Sequence, residues 1–203
     1  MIKLYDFPLS GHAHKVRLML SLLDIKYERI EVALAKGEQR SEHFLALNPF
    51  HHVPVLEDDG FVIRDSNAII TYLAKTYAAD WLPNDAQSSA RIQEWLAVST
   101  KEVSEGPGAA RLVNVFGAGL DHQAAIEKSH ELLKIIEAHL STREWLAIDR
   151  VSVADIALFT YIAHAPEGDV SLENYPNVNA WLARIEALKG FVAMPKTAVG
   201  LAA

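Results

Sequence analysis

The spacing of apolar residues changes character once along this chain, and that change limits the fold more than any other feature. Up to residue 78, strand-like alternation is interspersed with one-faced helical runs; from residue 87 onward only helical spacing is found. "IKLYDF" (2–7) is expected as a strand and 13–23 as a helix, with Val16, Leu18, Leu20 and Leu23 inward and Lys15 and Arg17 outward. "YERIEVAL" (27–34) alternates as a second strand, which completes a βαβ unit with a right-handed crossover. "VPVLEDDGFVIRD" (53–65) is two apolar runs joined at Asp58-Asp59-Gly60, a hairpin signal, and "SNAIITYLAKTYA" (66–78) sets Ile69, Ile70, Leu73 and Tyr77 on one helical face. The order βαβ-ββα predicts an α/β domain with a mixed sheet and helices on its faces.

The second part is expected to be an all-α bundle. Residues 87–116, 122–141, 152–165 and 178–189 carry helical periodicity, interrupted at Gly106-Pro107, Gly117, Pro166, Gly168, Pro176 and Gly190. Pro83 and Asn84 punctuate the change, so the expected domains are 1–78 and 87–203 with a linker at 79–86. In "VSVADIAL", Ser152 and Asp155 have capping-box spacing, and Val151 and Ile156 that of a hydrophobic staple. This is information for folding rather than a site.

A formal net charge of -7 and the lack of a Lys/Arg cluster argue against a nucleic-acid partner. No apolar run approaches the roughly 20 residues that a spanning helix needs, and "MIKLYDFPLSG" has no charged stretch feeding a long apolar one and so does not read as a signal peptide; the expectation is a cytoplasmic protein without a membrane partner. The chain has no cysteine, which removes protein disulfides, thiolate nucleophiles and Cys-ligated metals together. Any sulfur chemistry must use a sulfur that a ligand brings. Neither His12 with His14 nor His51 with His52 makes a metal set, since further convergent ligands are lacking and residues two apart on a helix point to different sides.

"LSGHAHKVRL", "NPFHHVPVLEDDG", "DSNAIITYL" and "SVADIAL" occur in an order and at a spacing that resemble a cytosolic glutathione transferase over essentially the whole chain. The likeness is to serine-type, phi-like and related bacterial members. It implies a thioredoxin-like N-terminal domain, an all-helical C-terminal domain, a homodimer, and glutathione as co-substrate with no metal.

By the resemblance, Ser10 is the catalytic hydroxyl that donates a hydrogen bond to the glutathione sulfur. A thiol of pKa near 8.5 is only about 3% ionised at pH 7, and lowering it by about two units needs roughly 2.7 kcal/mol. A hydrogen bond to a charged acceptor supplies about 1.5 to 3 kcal/mol and a helix N-terminus about 0.3 to 1, so one hydroxyl at a helix start suffices. On its own residues, Ser10 is also an ordinary N-cap, and the two roles are compatible.

The resemblance further implies that Val53 presents its backbone to the cysteinyl part of glutathione before a cis bond to Pro54. Asp65 takes the α-ammonium group and Ser66 the α-carboxylate of the γ-glutamyl end. Gln39 and Arg40, with Lys36 as a competing cation, align with groups that meet the glycine carboxylate. His12 stands where the family often has Asn and His52 where it often has Gln; His12 is either a hydrogen-bond donor to the ligand or an exposed first-turn residue. Structural alternatives stand beside these roles: an edge-strand proline for Pro54, an N-cap for the Asp65-Ser66 pair, and a solvated loop for 34–43.

For a hydrophobic electrophile, 95–116 offers Thr100, Val103, Pro107 and Arg111 as pocket lining, with Ala110 and Phe116 as further choices; periodic apolar residues there equally serve as core. The function expected is glutathione conjugation to small hydrophobic electrophiles, a detoxification. The alternatives are a glutathione-dependent peroxidase or disulfide reductase, and a non-catalytic glutathione-binding or interaction protein of the same fold.

Overall fold

In the computed structural model, which describes residues 1–203, four strands form one sheet in the order β2-β1-β3-β4. β1 (Ile2–Asp6) runs parallel to β2 (Tyr27–Glu31), while β3 (Val55–Asp58) is antiparallel to both β1 and β4 (Phe61–Arg64). α1 (Gly11–Leu22) makes the crossover between the parallel strands, and α3 (Ser66–Tyr77) follows the hairpin. Leu4, Val16, Leu20, Leu56, Ile69, Ile70 and Leu73 are fully buried, so sheet and helices share one apolar core. This is the thioredoxin-like arrangement that the resemblance implies.

The other face of the sheet is covered by an element that the sequence pattern did not predict. Residues 34–43 are not a loop: two single turns at Leu34–Lys36 and Glu38–Arg40 lead into the short helix α2 (Glu42–Leu47). The Ser41 hydroxyl accepts the Phe44 amide at 3.2 Å as its N-cap, and Phe44 packs edge-on to Tyr5 in a cluster with Val32, Val53 and Val55. Six residues are too few to show a period, which is why charge dominated the reading.

The outward placement of Lys15 and Arg17 is also corrected. Both are buried, Lys15 at 1% exposure and Arg17 at 8%. Arg17 reaches the fully buried Asp6, which Arg29 also engages, and donates to the Pro8 carbonyl at 2.9 Å. Lys15 shares its helical face with Leu18, Met19 and Leu22, a placement that the 3.6-residue period contained.

One unit of the structure comprises Met1–Asp80 with Lys189–Pro195, and the other Trp81–Leu188 with Lys196–Ala203. The stretch 189–195, expected in the second domain, therefore belongs with the sheet. The buried His14 ring donates from Nε2 to the Val192 carbonyl at 2.8 Å, and Ser21 Oγ donates to the Gly190 carbonyl at 2.6 Å. Gly190 has φ 90°, and a Cβ there would stand 2.7 Å from the Ser21 carbonyl oxygen, so both conformation and space require glycine.

The helical unit contains α4 (Ala86–Thr100), α5 (Ala109–Phe116), α6 (His122–Leu140), α7 (Val153–Ala163) and α8 (Pro176–Glu186). Gly106-Pro107 lies in the interval between the first two of these: Ser104–Gly108 is a widened turn, and its looser ladder accommodates a residue without an N–H before α5 begins. α7 is buried from Val153 through Ile162 and forms the centre of the unit. Its capping box is formed, with Ser152 and Asp155 bonded reciprocally. No helix is long and apolar enough to cross a membrane.

Candidate active site

Most of the candidate residues of the first unit lie at two helix starts and in the loop before β3, and His12 joins the two helix starts. Ser10 is the N-cap of α1, with φ -76° and ψ 117°, and its Oγ accepts the Ala13 amide at 3.2 Å. That bond uses a lone pair and leaves the hydroxyl proton to be donated elsewhere. The amide that Ser10 itself carries is taken by the Phe7 carbonyl at 3.0 Å, which turns the chain from β1 into the helix.

Asp65 is the N-cap of α3, and one carboxylate oxygen accepts the Asn67 and Ala68 amides, each at 2.9 Å. Its φ of 74° is unusual for a residue with a side chain. Such strain persists only where the surroundings hold it, and it marks functional turns more often than ordinary ones. Ser66, the first helical residue, is 4% exposed.

His12 ties the two helix starts together. Its Nδ1 lies 3.2 Å from Ser66 Oγ, and the ring is half-buried rather than the exposed first-turn residue that was one expectation. Burial pushes its pKa down to about 3, and repulsion from Lys15 and then from His52 adds to that, so His12 is a neutral imidazole at physiological pH. Lys15 lies on the same side of α1. It donates from Nζ to Asn67 Oδ1 at 3.3 Å, and burial brings its pKa down to about 7 against the opposing pull of Asp65.

The loop before β3 is braced by Asn48, whose Nδ2 donates to the His52 carbonyl at 2.7 Å and whose Oδ1 accepts the Phe50 amide at 3.0 Å. The Val53-Pro54 bond is cis, Val53 is 9% exposed, and the His52 side chain is exposed. Gln39 and Arg40 sit in the single turn Glu38–Arg40; Arg40 and Lys36 are exposed, while Gln39 is half-buried with its Oε1 shut away from solvent and without a hydrogen-bond partner.

The four residues offered as electrophile lining fare differently. Val103, Pro107 and Arg111 are buried within the helical unit, Arg111 in an ion pair with the equally buried Glu167. They are core, because the face of 103–111 that they share packs inward. Thr100 is exposed at the end of α4 and bonds back to the Leu96 carbonyl at 3.0 Å. Lys15, by contrast, lies beside the start of α3, a position that the sequence reading did not give it.

Residues 4–81 match the family model described as the glutathione S-transferase N-terminal domain, and residues 120–189 the one described as the C-terminal domain. Glutathione S-transferase 3 of Zea mays is 34% identical, over 94% of this chain and 91% of its own length. The chain belongs to the glutathione S-transferase family. A second plant glutathione S-transferase, F10 of Arabidopsis thaliana, is 32% identical over 89% of this chain and 90% of its own. Among solved structures, a possible glutathione S-transferase from Rhodopseudomonas palustris superposes with a TM-score of 0.87 at 34% identity, covering 97% of this chain and 98% of that one. A glutathione transferase homologue from Drosophila mojavensis, solved with bound glutathione, reaches a TM-score of 0.85 at 29% identity, covering 92% and 88%.

Proposed function

We propose that this glutathione S-transferase is of the serine type, with Ser10 as the group that stabilises the glutathione thiolate. The observation that carries the reading is the His12–Ser66 bond of 3.2 Å, which sets the Ser10 cap of α1 beside the Asp65-Ser66 start of α3. Both helix ends present amides and a positive dipole end, a setting for anions. Asp65 takes the α-ammonium group, Ser66 with its amide takes the α-carboxylate, and Val53, ahead of Pro54, pairs its backbone with the cysteinyl residue. Gln39 and Arg40 meet the glycine carboxylate, His12 stands between the two helix starts, and the exposed His52 flanks the peptide.

In the reaction, the thiolate sulfur forms a bond to an electrophilic carbon of a small hydrophobic substrate, and the leaving group departs with its electron pair. The Ser10 hydroxyl supplies the hydrogen bond that holds the sulfur ionised, and binding supplies position. A role in detoxification, a cytoplasmic setting and a homodimer complete the reading; exposed Phe50 (62%) and Phe61 (56%) on the first unit support association.

The test is the ultraviolet absorbance of the thiolate as glutathione is titrated into wild type and Ser10→Ala across the range around the thiol pKa of about 8.5. A depressed thiol pKa that returns toward its solution value in Ser10→Ala is the expected result. An unperturbed pKa in wild type overturns the assignment.

A further inference from the structure

Lys15 is an anomaly of packing. At 1% exposure it lies among Leu18, Met19 and the apolar core, where methionine would fill the same space without a charge. Burying an ammonium group is costly. Its position adds a second cost, because the Nζ bond to Asn67 Oδ1 fixes it at the first turn of α3, the positive end of that helix dipole. A cation beside a helix N-terminus raises the positive potential there, which opposes folding and favours an arriving carboxylate.

We propose that Lys15 is a positioning residue of the glutathione site, its ammonium group charging the α3 N-terminus for a ligand of net negative charge. The inference rests on the glutathione reading above and deepens it. Asn67 is the connecting residue: its side chain accepts from Lys15, and its amide is held by Asp65. The titratable groups that face this cluster are Asp65 from α3, His12 from α1 itself, and His52, which acts on His12 from the loop before β3. Of these, Asp65 opposes the loss of the Lys15 proton, and His12 is already neutral.

With its pKa near 7, Lys15 gains and loses its proton around neutrality. A bound anion favours the ammonium form, so binding raises that pKa, and by reciprocity affinity is greatest when Lys15 is protonated and falls as pH rises through the free and then the bound value. Each unit by which binding raises the pKa is worth about tenfold in affinity.

The experiment is calorimetric titration of S-methylglutathione, whose sulfur cannot ionise, into wild type and Lys15→Met at about pH 6 and about pH 9, either side of the Lys15 value. The ligand amine titrates alike in both proteins, so their difference isolates Lys15. The expected result is binding about tenfold weaker in Lys15→Met at the lower pH, with the two proteins converging at the higher, which a purely structural role would not produce. Wild-type binding with the same affinity and pH profile in Lys15→Met overturns the inference and leaves the glutathione reading intact; no binding by wild type overturns both. Should Lys15→Met fold poorly, the lysine amine resonance of wild type decides: a pKa that rises by about one unit with S-methylglutathione supports the inference, and an unchanged one overturns it.

Discussion

A serine hydroxyl carries two lone pairs and one proton, and at Ser10 the helix uses a lone pair. Cap and catalytic functions can therefore be separated by substitution. Ser10→Asp keeps an acceptor for the Ala13 amide and is expected to hold stability within a few tenths of a kcal/mol while abolishing thiolate stabilisation, since a carboxylate has no proton to give. Ser10→Ala is expected to lose both, with a stability loss of about 1 kcal/mol in urea unfolding. Equal stability losses in the two variants would remove the cap argument. His12 makes a pH prediction. Its folded pKa of about 3 lies below the unfolded value near 6.5, so the unfolded chain takes up a proton first, and stability contributed by the neutral ring is lost as pH falls from about 6.5 toward 3. His12→Gln should flatten that limb of a pH series of unfolding midpoints. Ser10, Val53, Pro54, Asp65 and Ser66 were singled out by the family resemblance; the cap positions of Ser10 and Asp65 and the cis Val53-Pro54 bond are what the structure shows of that reading. The burial of Lys15 was not read, because a lysine in an amphipathic run is ordinarily outside, although its helical face is also that of Leu18 and Met19.

Elements were legible where their length allowed a period to show. Both strands of the βαβ unit, the hairpin and the long helices stood out, whereas α2, with six residues, was hidden among charges. The interruption read at Gly106-Pro107 takes the form of a widened turn: proline forbids one ladder bond, and the looser turn at Ser104–Gly108 absorbs that loss before α5 begins. The capping box of α7 shows how much one legible motif organises. Asp155 accepts from the amides of Ser152 (2.9 Å) and Leu146 (3.0 Å), from Ser152 Oγ (3.1 Å) and from Trp181 Nε1 (3.0 Å), all buried. The spacing predicted the Ser152 bonds, but Leu146 and Trp181 come from other segments that no local pattern links to it. Asp155→Ala strands these donors and is expected to cost at least about 3 kcal/mol in urea unfolding; a loss under about 1 kcal/mol would mean that water replaces the carboxylate.

At the scale of the molecule, the expected homodimer is checked by light scattering on the eluting protein, where a mass of one chain would refute it. The change from mixed to purely helical periodicity located where the sheet-bearing part gives way to helices, since that change is written in consecutive residues. It gave no sign that the chain returns to the first unit at Lys189–Pro195, because seven residues held by His14 and Ser21 carry no period of their own. That return has a consequence in time. Synthesis runs from the N-terminus, so the sheet and its helices emerge early while the acceptor for His14 comes almost last. Until Val192 is made, the buried His14 ring lacks the carbonyl that accepts its Nε2–H hydrogen bond in the folded chain. A chain released after residue 188 lacks the Gly190 and Val192 acceptors, and should expose its α1 amides to hydrogen exchange faster than the full chain does.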